Sequence, residues 1–255
     1  MSSLFPYKTK ASHTLFDPGS HRPFRISRSR IDRWLECPRC FYLEWRRGVG
    51  RPSMPGFSLN NAVDALLKKE FDIHRARGTA HPLMQAYGLD AVPFDHAQID
   101  AWRDALRRGV TYLHPPTNLL ITGGIDDVWK NATGELIVVD YKATATSQQI
   151  SLDDGYKSGY KKQVEVYQWL LRQNGFPVSP VAYFVFVNGQ TDREAFDGKL
   201  EFDIQLISHT GDDRWVEPAI YQIHECLMND NIPAAGNICE YCGYRAAAAQ
   251  ATGEK

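Results

Sequence analysis

The sequence predicts an α/β fold on three observations. Helical periodicity runs through the N-terminal part, two β-rich runs meet at an Asn- and Gly-containing turn near the middle, and a strong helical segment separates that pair from further strands. The expected order is helices first, a hairpin-centred sheet, a helix, more strands and a closing helix. At 255 residues the chain can bury a sizeable core, and 43% hydrophobic with 23% charged residues excludes wholesale disorder. A formal net charge of −1 gives no global attraction to nucleic acid, so such binding would need a local basic patch. The N-terminus lacks the apolar run of a signal peptide and no stretch reaches bilayer-spanning length. The expectation is a soluble, cytoplasmic protein with no membrane partner.

Residues 1–24, with Pro6, Pro18, Gly19 and Pro23, read as an irregular lead-in, 25–245 as a single domain, and 246–255 as a frayed tail. From Ile26, Ser27 or Ser29 can cap a helix, and Ile31, Trp34, Leu35, Phe41, Tyr42 and Trp45 recur at helical spacing, with Pro38 dividing the segment in two. Six arginines between Arg28 and Arg47 suit either a solvated helix face or a phosphate-contacting one. After a Gly48–Gly56 loop, Leu59 to Phe71 is amphipathic, with Asp64 at the edge of the apolar stripe. His74 to Phe94 reads as loop and Ala97 to Leu113 as helix. Lys157 to Asn174 is helical, closed by Gly175 and Pro177; Val181–Val187 is an interior strand punctuated by Asn188-Gly189. Leu200 to Ile207 alternates as a half-buried strand, and Trp215 to Met228 is helical again.

The chain is organised around residues 118–146. Leu119-Leu-Ile121 leads into Gly123-Gly-Ile-Asp126-Asp-Val-Trp129, and Leu136–Val139 leads into Asp140-Tyr141-Lys142, with Asn131-Ala-Thr-Gly134 as the turn of a hairpin. Two-residue spacing puts Asp140 and Lys142 on one face of their strand. If the register brings Asp126 beside them, two carboxylates and an ammonium share that face. Carboxylates so close repel unless a hard cation such as Mg²⁺ or Mn²⁺ lies between them. A neighbouring lysine then becomes a donor for a phosphate oxygen or an attacking water, which suggests metal-assisted phosphodiester hydrolysis. The other reading is a solvated sheet face with surface ion pairs. On the following helix Gln163, Tyr167 and Leu170 share one face; a glutamine there has either a polar task or a carbonyl partner in the core.

Five cysteines are an odd number and, in a reducing compartment, point to metal ligation or buried thiols. Cys37-x-x-Cys40 and Cys239-x-x-Cys242 have metal-ligand spacing and suit Zn²⁺ or an iron–sulfur cluster. A shared metal would join the N-terminal helices to the C-terminal segment. Cys226, alone on a helix, reads as a buried thiol.

In this order and spacing, Ser27-x-Ser29, Cys37-Pro38-Arg39-x-Phe41, Gly123-Gly124-Ile125-Asp126, Val139-Asp140-Tyr141-Lys142, Gln163-x-x-x-Tyr167 and Cys239-x-x-Cys242 resemble the RecB-like branch of the PD-(D/E)XK nuclease superfamily. That branch includes the CRISPR-associated RecB-like exonucleases and the AddB nuclease domain. The resemblance covers roughly Ile26 to Tyr244 and implies a mixed central β-sheet flanked by helices, a restriction-endonuclease-like core behind an N-terminal helical region. It implies that Asp126, Asp140 and the Tyr141 carbonyl hold Mg²⁺ or Mn²⁺. Lys142 would orient water and stabilise charge on phosphorus, and Gln163 and Tyr167 would contact substrate or support the site. It further implies a DNA substrate, a role in DNA repair, recombination or defence, and partner proteins of nuclease/helicase or CRISPR-adaptation type.

Two positions depart from the pattern. Asp64 stands where many relatives carry a metal-binding histidine, and a carboxylate can take that place. Iron–sulfur relatives use one N-terminal and three C-terminal cysteines; here Cys40 is extra and Ala248 stands near the last, which leaves Zn²⁺ and [4Fe–4S] both open. The rival functions are a catalytically silent nucleic-acid-binding or assembly module, and a small-molecule phosphohydrolase. The latter is disfavoured by the lack of a Gly-rich phosphate loop.

Overall fold

The computed structural model describes residues 9–52, 56, 58–153 and 158–253; Lys157 and the ends of the lead-in and tail lie outside them. The chain is a mixed α/β protein whose described residues fall into two compact units interleaved along the sequence. One is drawn from Met1–Pro55, Leu113–Ile121 and Glu217–Lys255, the other from Gly56–Tyr112 and Thr122–Val216.

The second unit carries a five-stranded sheet in the order β2 (Ala91–Pro93), β5 (Asp127–Asn131), β6 (Leu136–Thr144), β7 (Val181–Gly189) and β8 (Phe202–Thr210). All pairs are antiparallel except β6 with β7, so the sheet is mixed. The expected hairpin is β5–β6, with Asp127 opposite Val139 and Val128 opposite Val138. Strand alternation then sorts β6 between two helices. Ile137, Val139 and Tyr141 join Trp129, Val185 and Leu206 in a core with Leu67 and Phe71 of α3 (Ser58–Arg77). Asp140 and Lys142 face the other way, towards α6 (Ser158–Gln173). Phe71 stacks on Trp129 and Tyr141 at centroid distances of 5.3 and 5.7 Å.

The first unit carries α1 (Arg28–Glu36) and α2 (Pro38–Arg46), divided by Pro38 as expected. Proline at the first turn of α2 forfeits no helical hydrogen bond. Ser27 holds the N-cap position of α1 but bonds Ser29 Oγ at 2.9 Å rather than a helix amide. α7 (Val216–Met228) buries Ile220, Ile223 and Leu227, and Arg46 Nε donates to the Leu227 carbonyl at 3.1 Å. α8 (Glu240–Thr252) ends at Gly253 in the left-handed region, so most of the expected frayed tail is helix. β1 (Phe24–Ser27), β3 (Val110–His114) and β4 (Leu119–Gly123) form a three-stranded sheet in the order β1-β4-β3.

Other expectations also change. The run from Leu119 to Trp129 is not one strand but β4 and β5, which belong to different sheets. The break falls where the Ile125 amide bonds the Trp102 carbonyl and the Asp126 carbonyl accepts from Arg103, so neither group is free for a ladder. Trp102 and Arg103 lie on α5 (Ile99–Arg103), all that is helical of Ala97–Leu113. The rest turns through Gly109 (φ +78°) into β3 and leaves Arg107 and Arg108 off the helix. His74–Phe94 is not a loop: α3 continues to Arg77, followed by α4 (Pro82–Ala86) and β2. Finally, Asn188-Gly189 continue β7, and of the alternating apolar set only Leu206 is buried, because β8 is the edge of its sheet.

Candidate active site

Asp140 and Lys142 leave β6 on the same face, as their spacing requires. Asp140 is fully buried; one carboxylate oxygen accepts from Gln163 Nε2 at 2.7 Å and the other pairs with the Lys142 ammonium. Lys142 Nζ also donates to Gln163 Oε1 at 3.3 Å and lies 4.5 Å from the Tyr160 ring centroid. Gln163 Nε2 donates in addition to the Tyr167 hydroxyl at 3.0 Å. One side-chain amide therefore holds the acid, the amine and the phenol in fixed relation. Gly123 permits this: a Cβ there would lie 2.7 Å from the Tyr167 ring and 2.9 Å from Leu170.

Asp126 sits in the break between β4 and β5, where its Oδ2 accepts the Tyr141 amide at 3.0 Å. Its Oδ1 lies 3.5 Å from Lys68 Nζ, which pairs with Asp64 Oδ2 at 2.7 Å one helical turn away on α3. Asp64, Asp126, Tyr141 and Lys142 line one cavity of about 370 Å³, with Asn60 and Tyr160 on its wall. Asp140 is held by Lys142 and Gln163 and is not part of the lining. The carboxylates are thus gathered as two linked sets, Asp64 with Asp126 through Lys68, and Asp140 with Lys142 through Gln163. Among the described residues, the four cysteines are the group that closes into a single ligand set.

In donor chemistry the Asp64–Asp126 pair suits a hard divalent cation. It is built of carboxylate oxygens, which Mg²⁺ and Mn²⁺ prefer. The Lys68 ammonium lies between the two and pairs with both, so this place already stabilises positive charge. Lys68 escaped notice in the sequence, although its i,i+4 relation to Asp64 on a helix was a usable signal.

Asp127 has a different role from its neighbour. It is fully buried and binds Arg75, Arg103 Nη2 (3.1 Å), the Tyr141 hydroxyl (2.8 Å), Trp129 Nε1 (3.2 Å) and its following amide (2.9 Å). Burial holds the Tyr141 phenol well above its usual range, reinforced by Asp127, so it remains a donor. Burial opposes charge on Arg103, but Asp72 and Asp127 outweigh it and raise its pKa.

The arginine-rich segment is largely committed within the protein. Arg33 pairs with Glu44 (3.2 Å) and Arg46 with Asp230 (2.8 Å), Arg39 donates to the Pro233 carbonyl, and Arg30 stacks on Trp45 at 3.4 Å. Burial brings the Arg30 guanidinium down to about 10.

The cysteine pairs meet as expected. Cys40 Sγ lies 3.6 Å from Cys239 and from Cys242, Cys37 lies 3.8 Å from Cys242, and all four sulfurs are within 4.8 Å of one another. Cys37 caps α2, accepting the Cys40 amide at 3.4 Å and the Gly236 amide at 3.3 Å; Arg51 Nη2 donates to Cys239 Sγ at 3.2 Å. Burial opposes ionisation of Cys37, but those two amides, with hydrogen bonds from Cys239 and Cys40, outweigh it and bring the thiol down to about 6. Burial and the neighbouring thiols push Cys242 up to about 12. Cys226 stands apart from the cluster, its thiol pushed up by burial.

A family model described as the PD-(D/E)XK nuclease superfamily matches residues 25–247. No curated protein matches. Ten chains of solved structures match, among them one described as "Crystal structure of SSO0001". It is 16% identical over 87% of this chain and 84% of that one, at a TM-score of 0.39, a likeness too low to bear on function.

Proposed function

Because the chain belongs to the PD-(D/E)XK nuclease superfamily, we propose that it is a metal-dependent deoxyribonuclease of the RecB-like branch that hydrolyses phosphodiester bonds with water and forms no covalent intermediate. The observation that carries this reading is the coupling of Asp140 and Lys142 through Gln163, beside a cavity that Asp64, Asp126 and Lys142 share.

Asp64, Asp126 and Asp140, with the Tyr141 carbonyl, would hold Mg²⁺ or Mn²⁺, which when bound supplies Lewis-acid charge to a phosphoryl oxygen and acidifies water. Lys142 offers an ammonium to the charge that grows on the phosphoryl oxygens as the water oxygen bonds to phosphorus and the ester oxygen leaves with the electron pair. Asp140 and Gln163 fix that ammonium, so little reorganisation is needed at the moment of reaction. Gln163 and Tyr167 support the site from α6, and Tyr160, on the cavity wall, presents a ring on which a base could stack. The cysteine pairs and the Gln163-x-x-x-Tyr167 spacing support the RecB-like branch, and with it a role in DNA repair, recombination or defence beside helicase or CRISPR-adaptation partners.

The test is cleavage of labelled single- and double-stranded DNA with Mg²⁺ or Mn²⁺, comparing wild type with Lys142→Ala and Asp126→Ala. Loss of at least about 100-fold in rate is expected for each, the scale of removing one transition-state donor. Full activity in both variants would reject the site. A folded wild type inert with every metal would instead favour a silent binding module.

A further inference from the structure

From the spacing of the four thiols we infer that Cys37, Cys40, Cys239 and Cys242 bind a single tetrahedral Zn²⁺ ion rather than an iron–sulfur cluster. Four sulfurs around one zinc ion at a Zn–S distance of about 2.3 Å form a tetrahedron whose edges are about 3.8 Å. Three of the separations are 3.6, 3.6 and 3.8 Å, with no pair beyond 4.8 Å. In a [4Fe–4S] cluster each thiolate binds a different iron at a corner of the cube, which spreads the cysteine sulfurs to about 6 Å. A [2Fe–2S] cluster keeps two thiols on each iron but still parts the two pairs by about that distance. Neither fits the space between these sulfurs.

The surrounding backbone resists expansion. Cys37 is the N-cap of α2 and Cys40 lies in its first turn, so the first pair moves only with the helix. The second pair follows a loop pressed onto the end of α1: a Cβ on Gly236 would lie 2.0 Å from the Glu36 carbonyl oxygen. The Cys239 amide bonds the Gly236 carbonyl at 3.2 Å, which ties the second pair to the same contact. Widening the cage would break these bonds on both sides.

The outer groups suit the charge. Four thiolates on a divalent ion leave a net charge of about −2 that must be balanced by donors around the sulfurs. The Gly236 and Cys40 amides donate to Cys37, and Arg51, itself paired with Glu36 at 2.7 Å, donates to Cys239. The two-plus-two pairing, which departs from the one-plus-three pattern of iron–sulfur relatives, is explained as a zinc site. The identity of the metal does not bear on the cleavage chemistry, since none of the four sulfurs lines the cavity at Asp126.

The test uses the full chain purified without oxygen from cells supplied with both iron and zinc. Elemental analysis should give one zinc per chain and no acid-labile sulfide, and the absorbance spectrum should lack a band in the visible. The same chain produced in cobalt-supplemented medium should show the intense visible ligand-field bands of tetrahedral thiolate-bound Co²⁺. Iron with matching sulfide would overturn the inference, as would a single iron without sulfide or a folded protein with no metal. DNA cleavage plays no part in the readout, so failure here and failure of the nuclease assignment are separate results.

Discussion

Gln163 and Gln168 lie five residues apart on one helix, both buried, and their amides serve opposite ends. Gln168 is a core glutamine whose Nε2 donates to the Ser179 and Pro180 carbonyls at 3.0 Å each. Gln163 spends its amide on Asp140, Lys142 and Tyr167. Gln168→Leu removes one donor from each carbonyl, while Pro180 keeps the Gly211 amide and Ser179 keeps Arg172, so it should lower stability by about 1 kcal/mol and leave cleavage of any folded protein intact. Gln163→Leu should reduce cleavage more than it reduces urea resistance; the reverse ranking would refute the division. Asp126 and Asp127 repeat the lesson. They are adjacent in sequence, but one faces the cavity and the other is surrounded by two guanidiniums and a phenol. Asp127→Ala leaves Arg75 and Arg103 buried without that partner, so a loss of about 3–5 kcal/mol is expected in denaturant titration. Nothing in the dipeptide distinguishes the two acids. The distinction comes from Arg75 and Arg103, which reach Asp127 from α3 and α5 and which no short-range pattern connects to it.

At the level of elements, the hairpin, the strands that frame it and the long helices were legible because each is strongly periodic or closed by a turn residue. α5 was misjudged in length, since Arg103, Arg107 and Arg108 mimic a polar helix face while Gly109 turns the chain. The break before Asp126 was hidden for a different reason: the backbone groups that end β4 bond to α5, a long-range event. That break is what turns Asp126 towards Lys68 and the Tyr141 amide. Gly123 at the end of β4 belongs to the same geometry. Gly123→Val would overlap the Tyr167 ring, and a cost of about 1–3 kcal/mol in stability is expected, with Tyr167 displaced from Gln163. A thermal melt unchanged from wild type would show that the close approach is dispensable.

For the whole molecule, the cysteine pairs were the most readable long-range feature, because their spacing announces a shared ligand set across roughly two hundred residues. The interleaving of two compact units was not readable, as no linker or change in composition marks where the chain passes from one to the other. Removing the metal with a strong chelator should raise hydrogen exchange in α1, α2 and α8, whose ends carry the thiols, more than in α3, β6 and α6. Equal loss of protection throughout would contradict a local role for the cysteine site.

The meeting of Cys37 and Cys40 with Cys239 and Cys242 also sets a schedule for biosynthesis. The first pair leaves the ribosome about two hundred residues before the second, so the clasp can close only once residue 242 has cleared the exit tunnel. Until then Cys37 and Cys40 lack the other half of their ligand set, and a product truncated before Cys239 keeps only those two of the four thiols.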